Sequence, residues 1–332
     1  MGLRPLLPII ILVVCVAVAA YWQEPSIPYE AAPTPTVHFC PREPCGDILA
    51  AAILSAHRSV SCAFYDVDHP AVVAALRRTS ARVVVHGRDG PAGIPVRWGH
   101  AERALMHNKF CIIDDQLVVT CSFNPTGRGA ARNDNVLLQV RSRLLAAAYN
   151  AEFEELWEGV FSAGDPTVDP VMELGGTPFH VAFCPDDGCR ELIVDVIDGA
   201  ERDVRFLAFS FTDGAVADAL IRAVHRGVSV SGVCERVQAR RWERCTAVQS
   251  AGGDVRADGN KGMMHHKTFI VDDETVMTGS ANPTKGGLMG NDENILVIRD
   301  GRLGASFKKE FRRVWTESTP WGTKKEKGRL GT

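Results

Sequence analysis

His107-Asn-Lys109-Phe-Cys-Ile-Ile-Asp114 and His265-His-Lys267-Thr-Phe-Ile-Val-Asp272 stand 158 residues apart in a chain of 332. Each octet ends on the first residue of an Asp-Asp pair, and a largely β-branched run follows, Leu117-Val-Val-Thr in the first case and Thr275-Val-Met-Thr in the second. Each then closes on Ser-x-Asn-Pro-Thr, as Ser122-Phe-Asn124-Pro-Thr and Ser280-Ala-Asn282-Pro-Thr. The pattern reads as strand, tight turn, strand. Residues i and i+2 of a strand share a face, so His107 lies beside Lys109 and His265 beside Lys267. His266 then points to the opposite face, which argues against a metal held jointly by His265 and His266. Asp114 and Asp272 fall at the turns; as motif residues they are counted with the catalytic candidates His107, Lys109, His265 and Lys267, although bracing the hairpin suits their place better than touching substrate.

Outward from the motifs, the repeat continues. Val37-His-Phe-Cys40 matches Val181-Ala-Phe-Cys184, and Ala71–Leu76 matches Ala215–Leu220. Ser59–Asp66 is set against Val204–Phe211. Phe153-x3-Trp157 matches Phe311-x3-Trp315, again 158 apart, whereas Cys40 and Cys184 are 144 apart. About 14 extra residues therefore precede the second motif. Each half reads as strand, helix, strand, helix, strand, motif hairpin, strand and closing helix, which is an α/β layered fold. Phe153 and Trp157, four apart on an amphipathic helix, belong to the core or to packing between the repeats. The resulting organisation is an apolar segment at 1–22, a linker at 23–36, a first repeat at 37–164, a linker at 165–178, a second repeat at 179–317 and a basic tail at 318–332.

Apolar residues make up 45% of the chain and charged residues 23%, as in ordinary globular proteins, and the formal net charge is −3. That charge excludes a global basic field for nucleic acid. Leu3 to Trp22 is long enough to cross a bilayer and ends in Tyr21-Trp22, at the level of an interfacial aromatic belt. A membrane anchor is the first reading. A cleaved signal peptide is the second, because Ala17-Val-Ala19 resembles a cleavage site. Either places the body of the protein outside the cytoplasm. Of ten cysteines, Cys40/Cys45, Cys184/Cys189 and Cys234/Cys245 are spaced for pairing. Disulfides in an oxidising compartment, buried free thiols and a four-cysteine zinc site all remain open. Cys62, Cys111 and Cys121 are read as core thiols.

Two histidines in matched contexts, each with a lysine, suit phosphodiester cleavage. One imidazole attacks phosphorus and the other protonates the leaving alcohol, then takes a proton from water. Imidazole titrates near neutrality, so the two can hold opposite protonation states. Lys109 and Lys267 would hold non-bridging oxygens, Asn124 and Asn282 would donate to them, and Ser122 and Ser280 would assist. A carboxylate on the far ring nitrogen fixes the tautomer. Asp134 (in Asn133-Asp-Asn135) and Glu293 (in Asp292-Glu-Asn294) are the candidates, taken as equivalent. No metal or other cofactor is called for.

At these residues the chain resembles the phospholipase D superfamily, whose signature is His-x-Lys-x4-Asp followed by Gly-Ser-x-Asn. The resemblance runs over both repeats, from Val37 to Glu317. It implies two pseudo-symmetric halves, each a mixed β-sheet flanked by helices, with one histidine from each half in a single metal-independent site. It also implies a covalent phosphohistidine, on the first-half histidine, here His107. The first copy departs from the signature at Cys121, which stands where the second has Gly279; a side chain there is expected to crowd the turn and shift Ser122.

Superfamily substrates include phospholipids and nucleic acids. The wording of the motifs leans toward the small bacterial endonuclease and Zucchini branch. The apolar segment and acidic net charge lean toward a lipid headgroup near a bilayer. The extra segment of the second half, with Arg236, Arg240, Arg241, Trp242 and Arg244, is either a grip beside the cleft or a solvated helix. A phospholipid hydrolase is the first expectation, an endonuclease the second and a non-catalytic phosphate-binding module the third. Both half-sites lie in one chain, which suits a monomer.

Overall fold

The computed structural model describes residues 27–86, 90, 93–99, 104–241 and 243–321. The segments 1–26 and 322–332, and with them the expected anchor and most of the basic tail, lie outside the described residues, as does Trp242.

The repeat is reproduced strand for strand. In the first half the sheet runs Thr36–Cys40, Asn135–Arg141, Leu117–Cys121, Lys109–Ile113, Val60–Phe64, Arg82–His86, Val96–Gly99. In the second it runs Thr177–Cys184, Glu293–Arg299, Thr275–Gly279, Lys267–Val271, Asp203–Ala208, Ser229–Cys234, Asp254–Ala257, in the same order. In each, the last three strands pair in parallel and the others antiparallel. The motif strands sit at the centre, and all five residues of Lys109–Ile113 and of Lys267–Val271 are buried. Central strands covered on both faces read as unbroken apolar runs, which Phe-Cys-Ile-Ile and Thr-Phe-Ile-Val approximate.

The expected linkers are partly structured. Val171–Leu174, inside 165–178, pairs antiparallel with Thr177–Cys184. Tyr29–Glu30, inside 23–36, adds a parallel strand to Val171–Leu174. Gly175 and Gly176, both at positive φ, make the tight turn between the paired strands. The extra residues of the second half form the turn of 3-10 helix Arg236–Arg241 and the helix Glu243–Ser250, tied to the preceding strand by Cys234–Cys245.

Cys40–Cys45 and Cys184–Cys189 are also bonded. Cys62 and Cys111 depart from expectation. They face each other across adjacent strands and form a fourth disulfide. Spacing along the chain cannot show that register. Cys121 is a buried free thiol, as expected.

The Asp-Asp turns follow from backbone geometry. Asp114 and Asp115 have φ of 54° and 56°, and Asp272 and Asp273 of 54° and 61°. Two successive left-handed residues match the twist of a hairpin, and Asp tolerates that region better than most side chains. The Asp114 carboxylate accepts from the backbone N–H of His57, Arg58 and Ser59. Asp272 does the same for Glu201, Arg202 and Asp203. Each thus ties its hairpin to the loop before the neighbouring strand. Asp114→Ala leaves three donors unmatched and should cost about 3 kcal/mol. Urea unfolding will read that loss, while the folded fraction keeps its activity within a few-fold.

Candidate active site

The halves meet where the motif strands begin. His107 N–H donates to Asp292 O at 2.9 Å, and Asp292 N–H to Leu105 O at 2.9 Å. By pseudo-symmetry, His265 N–H donates to Asp134 O and Asp134 N–H to Met263 O, both at 2.8 Å. Each histidine is therefore pinned to the other half. Gly262 permits the approach, since a Cβ there would stand 2.1 Å from Arg132 O.

The rings reach across the same seam. His107 Nδ1 lies 2.7 and 2.8 Å from the two Glu293 oxygens. His265 Nδ1 lies 3.0 Å from the Ser122 carbonyl oxygen and 3.1 Å from Asn135 Oδ1. Glu293 thus takes the orienting place expected of it and Asp134 does not. Asp134 instead bonds Arg313 at 2.6 Å and Asn260 at 2.8 Å. The physical reason is a register error of one residue. The strands Asn135–Arg141 and Glu293–Arg299 begin at equivalent positions, so Glu293 corresponds to Asn135, and Asp134 to Asp292. Neighbouring residues face opposite ways, so the slip exchanged a site residue for one outside it.

Lys109 and Lys267 are almost fully buried, beside the rings, as the alternation requires. Lys109 Nζ donates to His107 O at 2.5 Å and Lys267 Nζ to His265 O at 2.7 Å. Burial pulls Lys109 down to about 8, and burial with the neighbouring Lys109 charge pulls Lys267 well below its ordinary range. Burial and the two lysines hold both imidazoles well below their usual value. Burial pushes Glu293 the other way, up to about 8, against the pull of Lys109.

Ser122 and Ser280 are fully buried, and their hydroxyls are engaged. Ser122 Oγ accepts from Val136 N–H and donates to Asn135 Oδ1. Ser280 Oγ accepts from Asn294 N–H and hydrogen-bonds Glu293. They hold the residues that hold the rings. Cys121 does not displace Ser122: Ser122 N–H to Val136 O and Ser280 N–H to Asn294 O are both 3.0 Å. The Asn124 and Asn282 amide oxygens are both buried with no partner, the same in each half. Asp114 and Asp272 sit at the far ends of the motif strands, about 17 Å along the chain from the lysines, and are structural rather than part of the ring cluster. His266 is buried, faces away from the site and stands 3.5 Å from Glu310.

Sequence comparison missed the aromatic wall. Tyr65 packs against His107 with centroids 5.1 Å apart and Phe209 against His265 at 4.4 Å. The strand registers equate Phe64 with Ala208, each opposite a motif lysine. Tyr65 is therefore the counterpart of Phe209, one place off the alignment of Ser59 with Val204. His86 stacks on Tyr65 at 5.0 Å.

Asp292 shows what the seam costs. Its Oδ1 accepts from Ser162 N–H, while Oδ2 is buried without a partner. Burial raises it from 3.8 to about 7. A raised carboxyl keeps its proton when folded and loses it when unfolded, so its contribution falls as pH climbs from about 4 to about 7. Asp292→Asn should therefore gain melting temperature relative to the parent as pH rises across that window. A difference that is flat with pH would refute the assignment.

A family profile described as "Cardiolipin synthase, PLD-like domain" matches residues 88–157 and 193–315, more than half of the chain. A mitochondrial cardiolipin hydrolase of Xenopus laevis is 33% identical over 158 residues, 46% of this chain and 73% of that protein. A phospholipase D of Rickettsia conorii is 33% identical over 138 residues, 41% of this chain and 69% of that one. The structure of a phosphatidylserine synthase from Haemophilus influenzae covers 86% of this chain and 87% of its own, with TM-score 0.64 at 11% identity. That last likeness carries the fold alone.

Proposed function

The chain belongs to the phospholipase D superfamily and is a phosphodiesterase of that class, and from this premise we propose that it hydrolyses a phospholipid headgroup ester through a phosphohistidine. The observation that carries the reading is the reciprocal seam: His107 is held by Glu293 of the second half, and His265 by Ser122 and Asn135 of the first. Two imidazoles fixed from opposite sides suit one phosphorus atom. One ring attacks. The other gives its proton to the leaving alcohol and then takes one from water. Lys109 and Lys267 supply the positive charge around the non-bridging oxygens, and Asn124 and Asn282 offer amide donors there.

A lipid substrate is favoured by the net charge of −3 and by the lipid-directed names of the relatives. Leu3 to Trp22 would hold the protein at a membrane as a monomer. Four disulfides suit a catalytic body on the oxidising side.

Labelled phosphatidylcholine, cardiolipin and single-stranded DNA, each offered in EDTA, test the proposal. Product from a lipid, undiminished by EDTA, is expected. Cleavage confined to DNA would establish the nuclease reading instead. No turnover on any of the three would favour a phosphate-binding module, and loss of activity in EDTA would sink the metal-independent mechanism.

A further inference from the structure

Four places behind the seam repeat at the same spacing of 158 residues but differ in charge: Asn108 and His266, Asp134 and Asp292, Glu152 and Glu310, Glu155 and Arg313. Around Glu310 the acids have their cation. Arg313 Nη2 donates to Asp134 Oδ1 and to Glu310 Oε1, both at 2.6 Å. Its Nε reaches Glu310 Oε2 at 3.0 Å, and its Nη1 reaches Glu317 Oε2 at 2.8 Å. One guanidinium thus joins an acid of the first half to two of the second. Burial pushes Glu310 up, but His266 and Arg313 outweigh it and hold it down to about 2.

Around Glu152 the acids are present without the cation. Glu155 stands where the repeat has Arg313, and its carboxylate accepts from Asp165 N–H at 3.2 Å. Glu152 and Asp292, the counterparts of Glu310 and Asp134, are both buried. Asn108 Nδ2 donates to Glu152 at 2.8 Å, while Asn108 Oδ1 and Asp292 Oδ2 are buried with no partner among the described residues. The charges that act most strongly on Glu152, Glu155 and Asp292 are those of other acids. Burial first, then Asp292 and Glu155, push Glu152 well above its ordinary range. Buried carboxylates are normally paired, and in the repeat an arginine pairs them.

Glu152 and Glu155 also line a cavity of about 420 Å³, whose other walls include Leu144, Met172 and Phe183. Acids beside an apolar wall suit a forked cation on an apolar stem, which is the chemistry of an arginine side chain. Among the described residues no three of these acids converge as metal ligands would. We propose that this cavity binds an alkylguanidinium, whose head takes between Glu152 and Asp292 the place that Arg313 fills between Glu310 and Asp134. The site lies outside the ring cluster. It meets the motif through the Asn108 side chain and through Asp292, whose backbone oxygen accepts from His107 N–H.

Calorimetric titration of the full chain with n-butylguanidinium chloride tests the proposal. It is done at about pH 8, where Asp292, raised to about 7, carries its charge. One saturable site per chain is expected. Tetramethylammonium chloride, of equal charge but with no N–H donor, should give none. Glu152→Gln and Asp292→Asn should each weaken binding about tenfold or more, the loss expected for one charged hydrogen bond. Glu155→Arg supplies the head from the chain itself, so it should abolish binding and raise the melting temperature. Crystals of the unaltered protein grown with n-butylguanidinium should show the head against Glu152 and Asp292, a reading that needs no variant. No saturable binding to the unaltered protein, an equal response to tetramethylammonium, or full-strength binding by Glu155→Arg would overturn the proposal.

Discussion

His107→Ala and His265→Ala should each lower kcat/KM on a natural ester by about ten-thousandfold or more, and the double variant should be little worse than either single. Residues that act as a unit fail as a unit: without a nucleophile the acid has nothing to assist, and without the acid an unactivated alkoxide cannot leave. Neither change should unfold the protein. Both imidazoles are disfavoured as cations by burial, and their backbone bonds across the seam, to Asp292 O and Asp134 O, do not involve the side chains. Melting temperature near that of the parent, with activity gone, is the expected pair of readings. Either variant retaining activity within tenfold would mean that the rings do not share one phosphorus atom.

The parts of this site that were legible beforehand are those set by local periodicity. Alternation along a strand put His107 with Lys109 and His265 with Lys267 on one face, turned His266 away and assigned Asp114 and Asp272 to turns. What was missed depends on contacts between distant segments. Cys62 meets Cys111 because two strands pair in a particular register. Tyr65 and Phe209 were hidden by an alignment shifted by one residue, and Asp134 was preferred to Asn135 for the same reason. Charge misled there too. Asn135 carries no charge that would mark it in the sequence, although its amide is what His265 meets. The parts of 23–36 and 165–178 that join the sheet carry little apolar alternation, and their order comes from the edge they extend.

His107 meets a carboxylate and His265 an amide, which makes Glu293 and Asn135 unequal under mutation. Glu293→Gln keeps the shape but cannot hold an imidazolium, and its amide nitrogen can turn a donor toward Nδ1. Its loss in kcat/KM should be about a thousandfold or more, in the range known for a carboxylate that orients a catalytic imidazole. Asn135→Ala should cost about tenfold, because Ser122 O still accepts from His265 Nδ1; its larger effect is on stability, through the bonds it loses to Gly129, Asn133 and Ser122. Stability separates these roles from mere structural damage. Glu293 has its pKa raised to about 8 by burial, so its contribution to folding declines as pH rises from about 4.5 to about 8. Removing that carboxyl should leave the Gln variant at least as stable as the parent at pH 8, though far slower. The pH profile gives a second reading. Parent activity should fall above about pH 8, where the His107–Glu293 pair gives up its second proton. In Glu293→Gln the residual activity should fall at lower pH, since no anion retains the proton, and Glu293→Asp should recover part of both rate and profile. Equal losses from Glu293→Gln and Asn135→Ala, with unmoved profiles, would show that the two half-sites are interchangeable and that the carboxylate has no special hold on His107.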